Sequence, residues 1–345
     1  MNSKAFLLPA ALMIAGNSVA NSKGKKTDKR PNILVILADD LGYSDLGCYG
    51  SEIHTPNLDK LAQQGVRFNH FYNASRSCPT RASLLTGLYQ HQAGIGRMTF
   101  DDNLPGYRGT LSRNAVTIAE VLKESGYTTS MIGKWHVAET PLRKDQREWL
   151  AHHVYHDTYS DLCHYPVNRG FDSHYGTIYG VVDYFDPFSL VEGEVPVKEV
   201  PEGYYITQAL SDRAAEEVTE YAKDDKPFFM YLAYTAPHWP LHALPEDIEK
   251  YKDTYKVGWE AIRNARYERQ KQLGIFPGMD DFLSERQFKD RWEDNAHAEW
   301  DARAMAVHAA MIDRMDQGIG QVIDALEKTG QLEYTDSFPL RQWLQ

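Results

Sequence analysis

Cysteine is scarce in this chain, and what there is shows no pattern. Cys48, Cys78 and Cys163 are an odd number without paired spacing, which argues against a disulfide framework and a thiolate zinc site. Basic residues are in deficit, with 37 Lys and Arg against 48 Asp and Glu and a net charge of -11. Such a balance speaks against a nucleic-acid or anionic-membrane partner, which usually requires a clustered basic surface. Internal repeats are lacking, as are low-complexity tracts beyond residues 21–30, which excludes a solenoid. What remains, 345 residues of which 42% are hydrophobic, suffices for one large globular core.

Residues 1–20 carry one charge, Lys4, then an apolar run from Ala5 to Ala15 and a small-residue ending, Ser18-Val19-Ala20. The run is shorter than the ~20 residues a spanning helix needs, so it reads as a signal peptide of a periplasmic or secreted protein. Residues 21–30 are polar and lysine-rich, a flexible leader. From there strand and helix alternate. Asn32 to Leu37 is a continuous apolar run, the signature of a parallel strand buried on both faces. Thr55 as cap, Pro56 at the first helical position and Gly65 as stop bound a short helix. A helix over Ala115 to Lys123, a strand over Thr128 to Ile132, a helix over Thr207 to Lys223, a strand over Pro227 to Leu232 and a long helix from Asp301 to Lys328 follow. This order predicts an α/β fold with a mostly parallel central sheet flanked by helices. The stretch from Lys250 to Trp300, anchored by Trp259, Phe276 and Trp292, reads as an insertion or lid.

Ligands of open α/β sheets gather beyond the carboxyl ends of the strands. Three expected strands end there in polar residues: Asp39 and Asp40, Lys134 with His136, and His238. Adjacent carboxylates at such a place are hard to bury uncompensated, and a divalent cation with oxygen ligands, calcium or magnesium, is the simplest counterweight. The block from Ser75 to Gly87 puts Ser77, Cys78 and Thr80, all candidate nucleophiles, at the start of a helix whose amides favour an anion. Arg81, one turn in, is placed to hold an oxyanion. His91, His152, His153, His156 and His164 have no comparable support, and His242, Tyr175, Tyr179 and Tyr184 are read as packing residues, with a pocket-lining role left open.

Four segments together carry a resemblance. Pro31 to Ile33 running to Asp39-Asp40-Leu41-Gly42-Tyr43, Ser77 to Gly87, Gly133-Lys134-Trp135-His136 and Ala236-Pro237-His238-Trp239-Pro240 resemble the formylglycine-dependent sulfatases. The likeness runs in order over residues 31–333, and Gly258-Trp259, Arg263, Arg266 and Gly274 are similar to the bacterial arylsulfatase branch. It implies an alkaline-phosphatase-like fold and hydrolysis of a sulfate ester, of a sulfated glycan or an aryl sulfate. In that family the nucleophile is a cysteine or serine followed by proline two residues on and arginine four on, a spacing that Ser77, Pro79 and Arg81 match. Ser77 would then be oxidised to formylglycine by a serine-type maturase, and Asp39, Asp40 and Ser77 would hold Ca2+ or Mg2+. Arg81, Lys134 and His238 would surround the sulfate, with His238 protonating the leaving alcohol and His136 acting as base when sulfate is eliminated. The rival reading is a phosphomonoesterase or phosphodiesterase of the wider alkaline-phosphatase-like group using unmodified Ser77 or Thr80; a further one is an inactive remnant that binds a sulfated glycan or nothing.

The resemblance stops near residue 333. Family members continue into a strand ending in an acidic residue, asparagine and glycine, which supplies two more metal ligands, then a further lysine and a small C-terminal domain. Residues 334–345 instead read as an aberrant tail. Codons compatible with Thr335 to Leu344, read one nucleotide later, can spell Leu-Ile-Leu-Phe-Leu-Ser-Asp-Asn-Gly, so a frameshift is the expectation, with the catalytic domain (31–333) incomplete, a central strand absent, metal binding weak and activity low.

Overall fold

The computed structural model describes residues 30–139, 157–276, 283 and 291–341. The expected signal peptide, the leader up to residue 29 and His152, His153 and His156 lie outside them.

One seven-stranded sheet organises the chain, in the order β5-β4-β3-β2-β6-β1-β7. Its strands are β1 (Asn32–Ala38), β2 (Thr128–Gly133), β3 (Ser173–Thr177), β4 (Leu190–Glu192), β5 (Val195–Pro196), β6 (Phe228–Ala233) and β7 (Thr335–Arg341). β1, β2, β3, β6 and β7 run parallel; β4 and β5 are antiparallel additions at one edge. The helices are α1 (Pro56–Gln64), α2 (Ser77–Thr86), α3 (Ile118–Glu124), α4 (Ile206–Tyr221), α5 (Pro245–Glu249), α6 (Trp259–Gln272) and α7 (Ala298–Thr329). The expected α/β architecture is therefore present.

Alternation along the strands splits the core in two. Leu34 and Ile36 of β1 and Phe228, Met230 and Leu232 of β6 face α4 and α7, where Leu210, Ala214, Ala306 and Ala310 complete one apolar cluster. Leu37, Met131, Phe229 and Tyr231 face the other way, onto Cys78, Ala82 and Leu85 of α2 and Ala119 of α3. α7 packs close because its residues are small: a Cβ built on Gly318 would stand 2.8 Å from the Cβ of Ser211 on α4.

Three local readings are corrected. Thr55 does not cap α1 through its side chain; its Oγ1 accepts from Gly47 N at 2.8 Å. Asp316 of α7 does the capping instead, accepting from Asn57 N at 3.1 Å and Leu58 N at 2.8 Å. α3 begins later than expected because Thr117 and Glu120 form a reciprocal capping box, which satisfies two N–H groups at once. The strand expected to be missing is filled by the chain's own end: Thr335–Arg341 lies parallel to β1, from Asn32 opposite Thr335 to Ala38 opposite Arg341. Pro339 lacks an N–H and is accommodated because β7 is at the sheet's edge.

Register sets the site. Leu37 and Gly133 both pair with Ala233, so the chain beyond β1, β2 and β6 leaves the sheet at one level and delivers Asp39, Lys134 and the loop bearing His238 to the same end.

His174 on β3 is 1% exposed, and burial lowers its imidazole to about 4. In the unfolded chain it titrates near 6.5, so stability is intact above that pH and declines as pH falls towards 4, by roughly 3 kcal/mol in all from this residue. Denaturant unfolding at stepped pH should show a shallower acid loss for His174→Gln than for the parent; equal slopes would remove this residue from the account.

Candidate functional site

α2 starts at Ser77, immediately after Arg76, whose backbone is extended. Pro79 is admitted because first-turn N–H groups have no helical partner to lose. Of the three candidate nucleophiles the structure separates one. Cys78 points into the apolar layer with its Sγ 3.9 Å from Met98 Sδ, and burial pushes its thiol up to about 12. Thr80 Oγ1 is occupied by Ala74 N at 3.2 Å. Ser77 Oγ alone meets charge: it donates to Asp39 Oδ1 at 3.3 Å, receives Arg81 Nε at 3.2 Å, and stands 3.1 Å from His136 Nδ1.

Arg81 follows Ser77 by one helical turn, which places both on one face of α2. It is fully buried. Its Nη1 donates to Lys134 O at 2.7 Å and reaches Tyr231 Oη at 3.5 Å, while Nη2 stands 3.4 Å from Asp39 Oδ1. Lys134 Nζ pairs with Asp39 Oδ2, both side chains fully buried. Burial by itself would raise the Asp39 carboxyl, but Lys134 and Arg81, with His238 further off, hold it well below the usual carboxylate range. Asp40 goes the other way: burial, joined by the charge of Asp39, raises it to about 7. Two neighbours in sequence thus differ because only one sits between cations. Burial, then Lys134 and Arg81, also lowers the His136 imidazole, leaving it neutral and able to accept a proton. His238 Nδ1 donates to the Trp239 carbonyl at 2.5 Å, and Nε2 faces Asp40 Oδ2 at 3.4 Å.

An oxygen-preferring cation fits this end of the site in part. Asp40 Oδ1 is buried with no hydrogen-bond partner, a lone donor awaiting a positive charge. Asp39 and Asp40, with the Ser77 hydroxyl, make a hard-oxygen set suited to Ca2+ or Mg2+. Among the described residues no third carboxylate, imidazole or thiolate joins them, so they form part of a shell.

All seven expected site residues converge. Tyr231 and Gly180 were not expected among them. Tyr231 was hidden in an apolar strand. Gly180 clears room for His136: a Cβ there would stand 2.1 Å from the ring's Cε1 and 2.2 Å from Nε2. Tyr184 is buried behind the His238 loop, its hydroxyl 2.8 Å from both Thr235 O and His238 O. Arg266 of the supposed lid binds Asp45 and Glu52 at 2.6 to 2.8 Å, tying α6 to the segment that follows Asp40. Tyr175 pairs with Tyr204 at 3.0 Å, Tyr179 lies edge-on to His136 at 6.4 Å, and His91 packs on Tyr107. His164 gives its carbonyl to Trp135 Nε1 at 2.8 Å.

With this geometry established, likeness to known proteins can be placed. The sulfatase family model matches residues 31–335. An arylsulfatase of Klebsiella aerogenes is 34% identical over 337 residues, covering 96% of this chain and 68% of that protein. An uncharacterised sulfatase of Schizosaccharomyces pombe is 34% identical over 333 residues, covering 89% of this chain and 56% of that protein. The solved structure of Ps i-CgsB in complex with k-i-k-neocarrahexaose superposes with a TM-score of 0.60 at 31% identity, over 89% of this chain and 57% of that one. The chain therefore spans from just over half to about two thirds of the length of these relatives. Its fold is alkaline-phosphatase-like.

Gly180→Ala should force the His136 ring off Ser77 at a cost of about 1–3 kcal/mol in stability. Imidazole nitrogen NMR should then show the Nδ1 hydrogen bond lost; an unchanged Nδ1 resonance would mean that the glycine does not set the ring.

Proposed function

The chain belongs to the sulfatase family, and on that premise we propose that it hydrolyses a sulfate monoester to an alcohol and sulfate at the Ser77 site. The observation that carries the reading is the convergence of Asp39, Arg81 and His136 on one serine oxygen at 3.1 to 3.3 Å, in the spacing at which Pro79 and Arg81 follow Ser77. The hydrate of an aldehyde made from the Ser77 side chain, with a divalent cation held by Asp39, Asp40 and the oxygen on residue 77, would supply a hydroxyl that loses its proton more easily than a plain serine hydroxyl does.

The chain's own groups do the rest. Arg81 and Lys134 are two buried cations whose charge offsets that of the sulfate oxygens, preorganised and at no cost at the moment of reaction. His136, neutral and 3.1 Å away, moves a proton at the oxygen on residue 77. His238 has Nδ1 committed to the Trp239 carbonyl, which orients Nε2; from the doubly protonated imidazolium form, it would give its Nε2 proton to the leaving oxygen as that oxygen's bond to sulfur breaks.

An aryl sulfate or a sulfated carbohydrate is the substrate class this reading favours, since one relative is an arylsulfatase and another, of Bacteroides thetaiotaomicron, an N-acetylglucosamine-6-O-sulfatase. The signal-like first twenty residues support action in the periplasm or outside the cell.

Co-expression with a serine-type maturase and mass spectrometry of the Ser77 peptide test the reading. A loss of about two mass units is expected for oxidation of the alcohol to the aldehyde nucleophile precursor. An unmodified Ser77 from a host that demonstrably modifies a control sulfatase would contradict it and favour phosphoester chemistry.

A further inference from the structure

Next to His238 the chain carries a second set of polar groups that catalysis as derived above does not use. Asp183 lies in the loop after β3 and His242 in the loop after β6. Asp183 Oδ1 is committed, accepting from Phe185 N at 2.7 Å and Asp186 N at 3.1 Å. Its Oδ2 faces His242 Nδ1 at 3.4 Å, too long for a good hydrogen bond, with the two side chains 25% and 31% exposed. The same Nδ1 is 3.4 Å from the backbone N of Tyr184, so it cannot serve both neighbours well. Among the described residues no hydrogen bond reaches His242 Nε2. Asp183 Oδ2 thus lacks a good partner and lies beside an imidazole whose Nε2 has none among the described residues, with both side chains part-exposed.

Aromatic rings lie against His238 and His242. Trp239 is 60% exposed and its inner face stacks on His238 at 5.5 Å and 29°. Phe185, 39% exposed, covers His242 at 5.6 Å and 33°. Large exposed aromatics beside a few fixed polar groups are the usual make-up of a small-molecule site.

Tyr184 fixes these pieces to the catalytic histidine. Fully buried, it sends its hydroxyl to the carbonyls of Thr235 and His238 at 2.8 Å each. Its backbone N meets His242, and its neighbour in sequence is Asp183. One side chain therefore sets the distance from the Asp183–His242 pair to His238, the residue nearest the leaving oxygen in the proposed reaction.

Resting on the sulfatase reading, we propose that Asp183 and His242 bind a hydroxyl of the leaving alcohol while Trp239 stacks on its ring, so that this site prefers sulfated pyranoses to simple aryl sulfates. A hydroxyl both donates and accepts, the complement of an open carboxylate oxygen beside an open imidazole nitrogen. Tyr184 is a positioning residue in this arrangement. Sites built to bond a hydroxyl discriminate strongly against partners that lack it, because their own groups go unpaired; partial exposure here reduces that to about tenfold to a hundredfold.

The test is equilibrium titration of the whole chain with Ser77 unmodified, so that esters bind without turnover. The probes are inorganic sulfate, phenyl sulfate and the monosulfates of galactose, glucose and N-acetylglucosamine. The parent should bind at least one sugar sulfate about tenfold or more tighter than phenyl sulfate. Asp183→Asn and His242→Ala should abolish that margin and leave inorganic sulfate within about twofold, whereas Trp239→Ala should weaken both organic esters. Sugar-sulfate affinity unchanged in Asp183→Asn and His242→Ala, or a parallel loss of inorganic sulfate, would overturn the subsite. A parent that binds inorganic sulfate but no sugar ester better than phenyl sulfate would overturn the subsite alone. A parent that binds no sulfate would overturn the sulfatase reading and the subsite with it.

Discussion

The Asp39 carboxylate is what allows Lys134 and Arg81 to lie side by side beneath the surface. Both cations are fully buried, and each would be costly there without an anion against it. Asp39 faces Lys134 with one oxygen and Arg81 and Ser77 with the other, so both of its oxygens are engaged. The serine is held by the groups that balance the charges, and a sulfate entering the site would meet cations already desolvated and fixed. The same arrangement explains why Asp40, one residue on, behaves differently: without a cation in contact it keeps a raised pKa and an unsatisfied oxygen.

The fold makes this possible through register. Three parallel strands end at a common level, and helix α2 brings Ser77 and Arg81 across that end from the opposite cluster of the core. The loop after β6 then carries both His238 and His242, with Tyr184 as the strut between two loops. In the proposed reaction, chemistry sits on strand ends and selectivity on the loops beyond them, the division open α/β sheets commonly show.

Much of this was legible beforehand because it is written locally. The apolar run of β1 and the polar residues after each strand announce a buried parallel sheet and its carboxyl end, and the Ser77, Pro79 and Arg81 spacing points to α2. What escaped the reading depends on contacts between distant residues. Asp316 caps α1 from 258 positions away in the chain, a role no window around Thr55 can show. β3 and the short β4 and β5 have weak alternation and gain their pairing from neighbours already in place. β7 follows the same logic: Thr335–Arg341 looks unlike a core strand, yet seven residues in register with β1 suffice at an edge. Gly180 gave no signal because its meaning is the ring of His136, far away in sequence.

The central claim is that one carboxylate holds the site together, and the stability of Asp39→Asn measures it most directly. Denaturant unfolding of the metal-free protein should show a loss of about 3–5 kcal/mol, the range for removing one partner from a buried ionic cluster, with a substantial part restored by inorganic sulfate as it takes the carboxylate's place between Lys134 and Arg81. A variant within about 1 kcal/mol of the parent, the scale of a surface pair, and indifferent to sulfate would contradict the account.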